Sequence, residues 1–230
     1  MASSARAEMA LGDVDGAIES VTAEADQQTV ALAEARDRVD GLRTLAERVM
    51  RRTAELGVET LDARMIRVTR EGARRFEEMF EEAVSGELTL GDLFDDDYQL
   101  VRGSNPEQYQ TRACSFIESV APLVQEPILE GDDAVRGSCL HDRNGHRPMM
   151  NLCFSRPQGP DPAWNAKHAR SKGFATDEAG LAASRNTEPV LLQVYRRTAM
   201  GTVELTKDVS VPIFVRGRHW GCLRTVYVDS

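Results

Sequence analysis

Lys207–Tyr227 reads KDVSVPIFVRGRHWGCLRTVY, and its period decides what kind of fold the chain can make. Taken with the residues just before it, the apolar positions are Val203, Leu205, Val209, Val211, Ile213 and Val215, all odd-numbered. A period of two puts alternate side chains on one face of a strand. Arg216–Arg218, RGR, then supplies a turn, and Trp220, Cys222, Val226 and Val228 mark one face of a return strand. Val190–Arg197 predicts a strand ahead of both, so this end of the chain reads as a three-stranded antiparallel meander.

Upstream, PQGPDPAWNAKHARSKG (157–173) predicts a Pro-rich loop and a short helix, with Asp161 as N-cap, Pro162 in the first turn and Gly173 at its end. Earlier still, AVRGSCL (134–140) and HRPMMNLCF (146–154) have strand character on either side of DRNG, whose Asn144-Gly145 pair favours a type I′ hairpin.

The first third has another period. Leu11, Val14, Ile18, Val21, Ala25, Gln28, Leu32, Ala35, Val39, Leu42, Ala46, Val49, Thr53 and Leu56 follow alternating steps of three and four, with only Gln28 and Thr53 polar. Such a 3.5-residue repeat predicts a long coiled-coil helix and a homodimer through residues 11–56. A second helix is expected from about Leu61 to Val84, and a third from about Glu107 to Val124, limited by Pro122 and Pro127. The expected layout is therefore 1–57 coiled coil, 58–133 helical linker and cover, and 134–230 sheet domain. In class terms it is α+β, with an antiparallel sheet flanked by helices.

Composition narrows the function. Of the 230 residues 41% are hydrophobic and 28% charged, with no apolar run near the ~20 residues needed to cross a bilayer and no signal-like apolar core at the N-terminus, so a cytoplasmic protein is expected. Cys114, Cys139, Cys153 and Cys222 form no CxxC pair and read as reduced thiols. Residues 1–134 carry 29 acids against 14 bases, whereas residues 135–230 carry 8 against 14. The basic half lacks clustered Lys/Arg and interleaved aromatics, so nucleic acid is not an expected partner, while a small anion is. No phosphate loop, GxSxG elbow or HExxH helix is present, and no enzyme is expected.

GELTLGDLFDDDYQLVRGSNPEQYQTR (86–112), HDRNGHRPMMN (141–151), RPQGPDPAWNAKHAR (156–170), LAASRNTEPVLLQVYRR (181–197) and the opening stretch together carry a resemblance. Over about residues 25–228 the chain resembles the C-terminal PAS/Cache-like sensor module of methyl-accepting chemotaxis proteins, mainly alphaproteobacterial ones. The resemblance implies a small-molecule sensor that signals through its coiled coil, with chemoreceptor signalling proteins as partners. The methylation helices and kinase-binding hairpin of those receptors are absent from this sequence. His146 and Met150 stand where the resemblance would place Tyr and His.

By the same resemblance a ligand, anionic or amino-acid-like, would lie between the sheet and the crossing helix. Trp164 and Arg170 on that helix, with Tyr195 and Asp208 on the meander, are the candidate ligand-binding residues. Arg suits a carboxylate, Trp and Tyr an apolar body, and Asp an amino group. His141 and His146 flank the DRNG turn and are weaker candidates for a metal. No cofactor is expected; haem, on Met149, Met150 and the four histidines, is an alternative. A structural adaptor that joins receptor arrays and binds no ligand is another.

Overall fold

The computed structural model describes residues 59–199 and 202–229, together with residues 25, 28–39, 41–42, 44–45, 47–49 and 52 of the N-terminal stretch, which are helical. The chain divides into two units, Met1–Ala46 and Glu47–Ser230. In the first, Leu32, Val39 and Leu42 of the heptad seam are 56%, 63% and 67% exposed. The seam from Leu11 to Val21, with Ala46, Thr53 and Leu56, lies outside the described residues.

In the second unit α1 (Leu61–Ala83) and α2 (Leu90–Leu93) lead to β1 (Gln99–Leu100) and β2 (Tyr109–Gln110), then to α3 (Cys114–Val120) and α4 (Pro122–Glu130). There follow β3 (Val135–Asp142), β4 (His146–Arg147), a 3₁₀ turn at Leu152–Phe154, α5 (Pro162–His168), β5 (Gly173–Phe174) and α6 (Glu178–Arg185). The chain ends in β6 (Leu191–Ala199), β7 (Thr202–Val215) and β8 (Arg218–Tyr227). The main sheet is antiparallel in the order β3-β8-β7-β6, and β1-β2 and β4-β5 form two small ladders.

One face of the sheet makes the core. Leu192, Val209, Val211, Ile213, Leu140, Leu223 and Tyr227 meet the apolar side of α1, where Met65, Phe76 and Phe80 are buried, and Val124 of α4. Fully burying side chains of this size contributes about 1.5–3 kcal/mol each. Polar ties set the helix on the sheet. Thr60 caps α1 through Ala63 N, and Asp62 accepts from Lys207 Nζ (3.0 Å) and Tyr227 Oη (2.8 Å). Thr69 Oγ1 meets Thr225 Oγ1 at 2.8 Å, and Trp220 Nε1 donates to Leu93 O at 3.0 Å.

The antiparallel meander is as expected, and five local expectations are corrected. The type I′ turn is at Arg216-Gly217, where φ is 52° and 71°, not at Asn144-Gly145. There only Gly145 is left-handed (φ 88°), and Asp142 closes the turn, its carbonyl accepting from Gly145 N and its Oδ1 from Asn144 N and His146 N. The segment after that turn is not a hairpin partner of β3: β4 pairs with β5, and only the bridge Cys139–Met150 joins it to β3, since Pro148 has no N–H to give a ladder.

Glu107–Val124 is not one helix but β2 followed by α3, and Pro122 starts α4 rather than ending α3, because a first-turn residue needs no N–H partner. The crossing helix stops at His168, with Gly173 in β5. Finally, Trp220 does not share a face with Cys222. It is the extra residue of a bulge, between the pairs Phe214–His219 and Ile213–Gly221, and turns into the core against Phe80.

Candidate ligand site

The opposite face of the sheet is unlike the core face. Register places Gln193 beside Asp208, Tyr195 beside Thr206, Ser210 beside Arg224 beside Cys139, and Cys222 beside His141. These are the even positions of β7 and β8 and the odd positions of β3 and β6, so one period-two pattern makes an apolar face and a polar face. The polar face is nonetheless covered. Helix α6 lies over all four strands, bringing Gly180, Ala183 and Ser184 down onto them. A Cβ at Gly180 would stand 3.0 Å from Arg224 Nη1 and 2.8 Å from the Ala175 Cβ.

Asp208, Ser210 and Thr206 are fully buried, His141 is 1% exposed and Arg224 6%. Arg224 is ion-paired with Asp208 Oδ2, which the Tyr195 hydroxyl also approaches at 3.4 Å. Ser184 donates its proton to Gly180 O (2.7 Å), so its Oγ accepts from His141 Nδ1 at 3.2 Å. That fixes the tautomer: His141 carries its proton on Nδ1 and presents a bare Nε2. Burial, with Arg224 and Arg147 nearby, holds the imidazole well below its ordinary range and therefore neutral.

Among the described residues, six buried side-chain atoms of this face have no hydrogen-bond partner in the protein: His141 Nε2, Gln193 Oε1, Thr206 Oγ1, Asp208 Oδ1, Ser210 Oγ and Arg224 Nε. At about 1–3 kcal/mol each such atoms cost roughly as much as the 5–15 kcal/mol that keeps a domain folded. Cys139, on the edge strand β3, is within electrostatic reach of Arg224, Arg147, Arg170 and Asp208. Arg147 Nε is also buried without a partner, while one Nη of Arg147 donates to Phe174 O at 3.1 Å.

Two of the four expected ligand-binding residues, Tyr195 and Asp208, thus come together on this face. Arg170 has its guanidinium over the Phe154 ring (5.7 Å) within reach of Cys139. Trp164 is placed differently, 39% exposed with its ring 4.8 Å from His168. Sequence reasoning missed Arg224, Arg147, His141 as a member of this face, and the whole of α6. A polar residue every second position of a strand otherwise rich in Val, as in Thr206, Asp208 and Ser210, was the available signal.

His146 belongs to a different cluster. Its Nε2 donates to Tyr109 O (2.9 Å), its ring packs against both Tyr98 and Phe174 (5.2 Å from each, with those two 4.9 Å apart), and its Nδ1 is 4.0 Å from Asp142 Oδ2. Burial pushes Asp142 up to about 6 and His146 down to about 4. Tyr98 Oη donates to Asp142 at 2.7 Å and so straps the β1 segment to the β3 turn. The two histidines face separate surroundings, and no three His, Cys, Asp or Glu side chains among the described residues gather as metal ligands. A cavity of about 980 Å³ lies between α1 and α4. Its ion pairs, Arg64–Asp132 and Arg67–Glu59, are satisfied within its own lining.

Comparison with known proteins gives outline likenesses. No family model matches the chain, and no curated protein matches it. The PAS domain of Bordetella pertussis BvgS is 11% identical with a TM-score of 0.31, over 49% of this chain and 86% of that one. An extracellular ligand binding receptor from Desulfohalobium retbaense DSM5692 is 12% identical with a TM-score of 0.28, over 68% of this chain. Only 24% of that receptor's length is spanned. No helix among the described residues is long and apolar enough to cross a membrane.

Proposed function

We propose that the chain is a signal-transduction sensor of the PAS/Cache kind, which takes a small molecule on the polar face beneath α6. The observation that carries this reading is the set of six buried, unpartnered polar atoms on one sheet face. The strand order, with the first strand of the sheet beside the last and a meander beyond, suits such a domain. No catalytic step is proposed: the nearest acid and base on this face, Asp208 and His141, are committed to an ion pair and to a serine.

Transmission is proposed to run through a parallel coiled coil over residues 11–56, whose dimer has two arrangements that ligand biases. The heptads support this, as does the exposure of Leu32, Val39 and Leu42 on described helical residues. A thermal-shift screen of the purified chain against organic acids, amino acids and purines tests the sensor reading. Some compound is expected to raise the melting temperature by mass action; stability indifferent to all of them points instead to a ligand-free adaptor. Sedimentation at micromolar concentration tests the coiled coil, which a monomer would rule out.

A further inference from the structure

We propose that the cavity between α1 and α4 is a docking groove for an acidic amphipathic helix of another protein, which lays its apolar stripe on the groove floor and sets its carboxylates against the arginines of α1. This surface is separate from the polar face beneath α6, and the inference stands whatever that face binds.

Charge marks the place. Residues 1–134 carry 29 acids against 14 bases, yet five of those bases, Arg64, Arg67, Arg70, Arg74 and Arg75, line this one cavity of about 980 Å³. Three acids share the lining with them, Glu59, Glu71 and Asp132. Arg64 is paired with Asp132 at 3.1 Å, Arg67 with Glu59 at 3.0 Å, and Arg74 with Glu71 at 2.8 Å and with Glu78. Arg70 and Arg75 have no ion pair among the described residues, Arg75 sharing only the longer-range field of Glu71. The lining is therefore basic inside an acidic stretch, which steers an acidic partner to it. All five arginines are exposed, and pairs so open to water are worth little, so a partner's carboxylates can replace them at small cost.

Shape selects a helix. The floor is apolar, with Val68 and Ile128 half-buried and Val124 buried. Gly72 seats α1 so closely that a Cβ there would stand 2.6 Å from Leu223, 3.0 Å from Ile128 and 3.1 Å from Val124, so floor and walls are set before a partner arrives. From Ala63 to Arg75 α1 runs about 18 Å at 1.5 Å per residue, a little over three helical turns. The arginines are strung along that length and not gathered at one end. That spacing matches carboxylates repeated along a helix, whereas a fatty acid would offer a single head group. An extended peptide needs a strand edge to pair with, and both walls here are helices. A bilayer is too flat to reach the floor of a groove, and nucleic acid would meet Glu59, Glu71 and Asp132 among the arginines.

The probe is a displayed library of helical peptides of about 16 residues, long enough to span the groove. Each carries a fixed apolar stripe and a polar face varied among Glu, Gln and Lys, and selection is on the purified full chain. Recovered peptides are measured by fluorescence anisotropy. Acidic sequences are expected to dominate, and the double change Arg70→Glu with Arg75→Glu should weaken them about tenfold or more. Val68→Gln should weaken them through the floor. The double change Arg102→Glu with Arg196→Glu shifts the net charge equally at exposed positions outside the groove and should leave binding within about twofold. Melting temperatures check that each variant is folded. Recovery of basic or uncharged helices, or of none, would overturn the proposal, as would acidic binders that ignore the groove variants or respond equally to the control. Phosphatidylglycerol vesicles and a duplex DNA are run alongside; binding of either through Arg70 and Arg75, with the peptides silent, would overturn the helix assignment. Self-association lost on sedimentation of the Arg70→Glu, Arg75→Glu variant would give the groove to a second copy of the chain and likewise overturn it. The small-molecule screen is a separate measurement, so failure of one reading leaves the other standing.

Discussion

Replacing Asp208 by Asn keeps the shape of the side chain and removes its charge, which isolates one quantity: the cost of leaving Arg224 alone. Asp208 is wholly buried and the Arg224 side chain is 7% exposed, so solvent cannot take over as counter-charge. Breaking a buried pair from one side costs about 3–5 kcal/mol. For a domain of this size about 1 kcal/mol moves the melting temperature by about 2–4 °C, so Asp208→Asn should lower it by roughly 6–20 °C. Removing both charges, as Asp208→Leu with Arg224→Met, should cost far less than the single change, because an apolar pair of similar volume replaces two desolvated ions. The assay is urea and thermal unfolding of the two singles and the double in a mutant cycle. A loss below about 1 kcal/mol for Asp208→Asn would refute the idea that Arg224 depends on this carboxylate, as would a double variant whose cost equals the sum of the singles.

Acid should destabilise the protein through its buried histidines. His141 is held well below its ordinary range and His146 at about 4, so the unfolded chain binds protons below pH ~6.5 that the folded chain refuses, and stability falls from there toward pH 4. Asp142, raised to about 6, works against this in the same window, since its folded carboxyl takes up a proton first. His146→Gln should therefore lose less between pH 6.5 and 4.5 than the unmodified protein in urea titrations; an unchanged slope would contradict the assignment. Gly221→Ala places a Cβ 2.0 Å from the His141 carbonyl oxygen and should part β3 from β8, seen as loss of the cooperative unfolding transition; a variant as stable as the parent would show the close approach to be tolerated. Of the four thiols only Cys153 is exposed, so a disulfide reagent should modify one cysteine quickly in the native protein and four in denaturant. Rapid reaction of Cys139 or Cys222 would mean that the covered face opens readily.

What could be read from the sequence followed from strong periods. The odd-numbered apolar residues of Thr202–Val215 gave the meander, and the apolar stripe of Leu61–Ala83 gave α1 to within a residue, because each period has one geometric meaning. Turn chemistry was less decisive. Asn144-Gly145 and Arg216-Gly217 both allow a type I′ turn, and tertiary pairing chose the second, where β7 and β8 are long enough to align; at the first, the Asp142 carboxylate captures the backbone N–H groups instead. Helix α6 escaped notice because Ala, Gly and Ser give it almost no apolar stripe, and that lack is what lets it lie close to the sheet. In the candidate site, Asp208 and Tyr195 could be found, whereas Arg224, 16 positions beyond Asp208, becomes its partner only through the register of two strands.

The strand order has a consequence for how the protein is made. β8 lies in the interior of the sheet, between β3 and β7, although it follows every other strand of that sheet in the chain. Val135 must wait for Tyr227 before it has a neighbour, and until then β3 has no ladder. Non-local closure of this kind is slow and leaves apolar surface open during synthesis. A nascent chain stalled or clipped before Arg218 would lack the centre of its sheet, not an edge, and would hold neither the core nor Arg224. Docking of β8 is thus the step that completes the sheet: a product without it lacks the partner of both β3 and β7 and should be degraded rather than hold a partial fold.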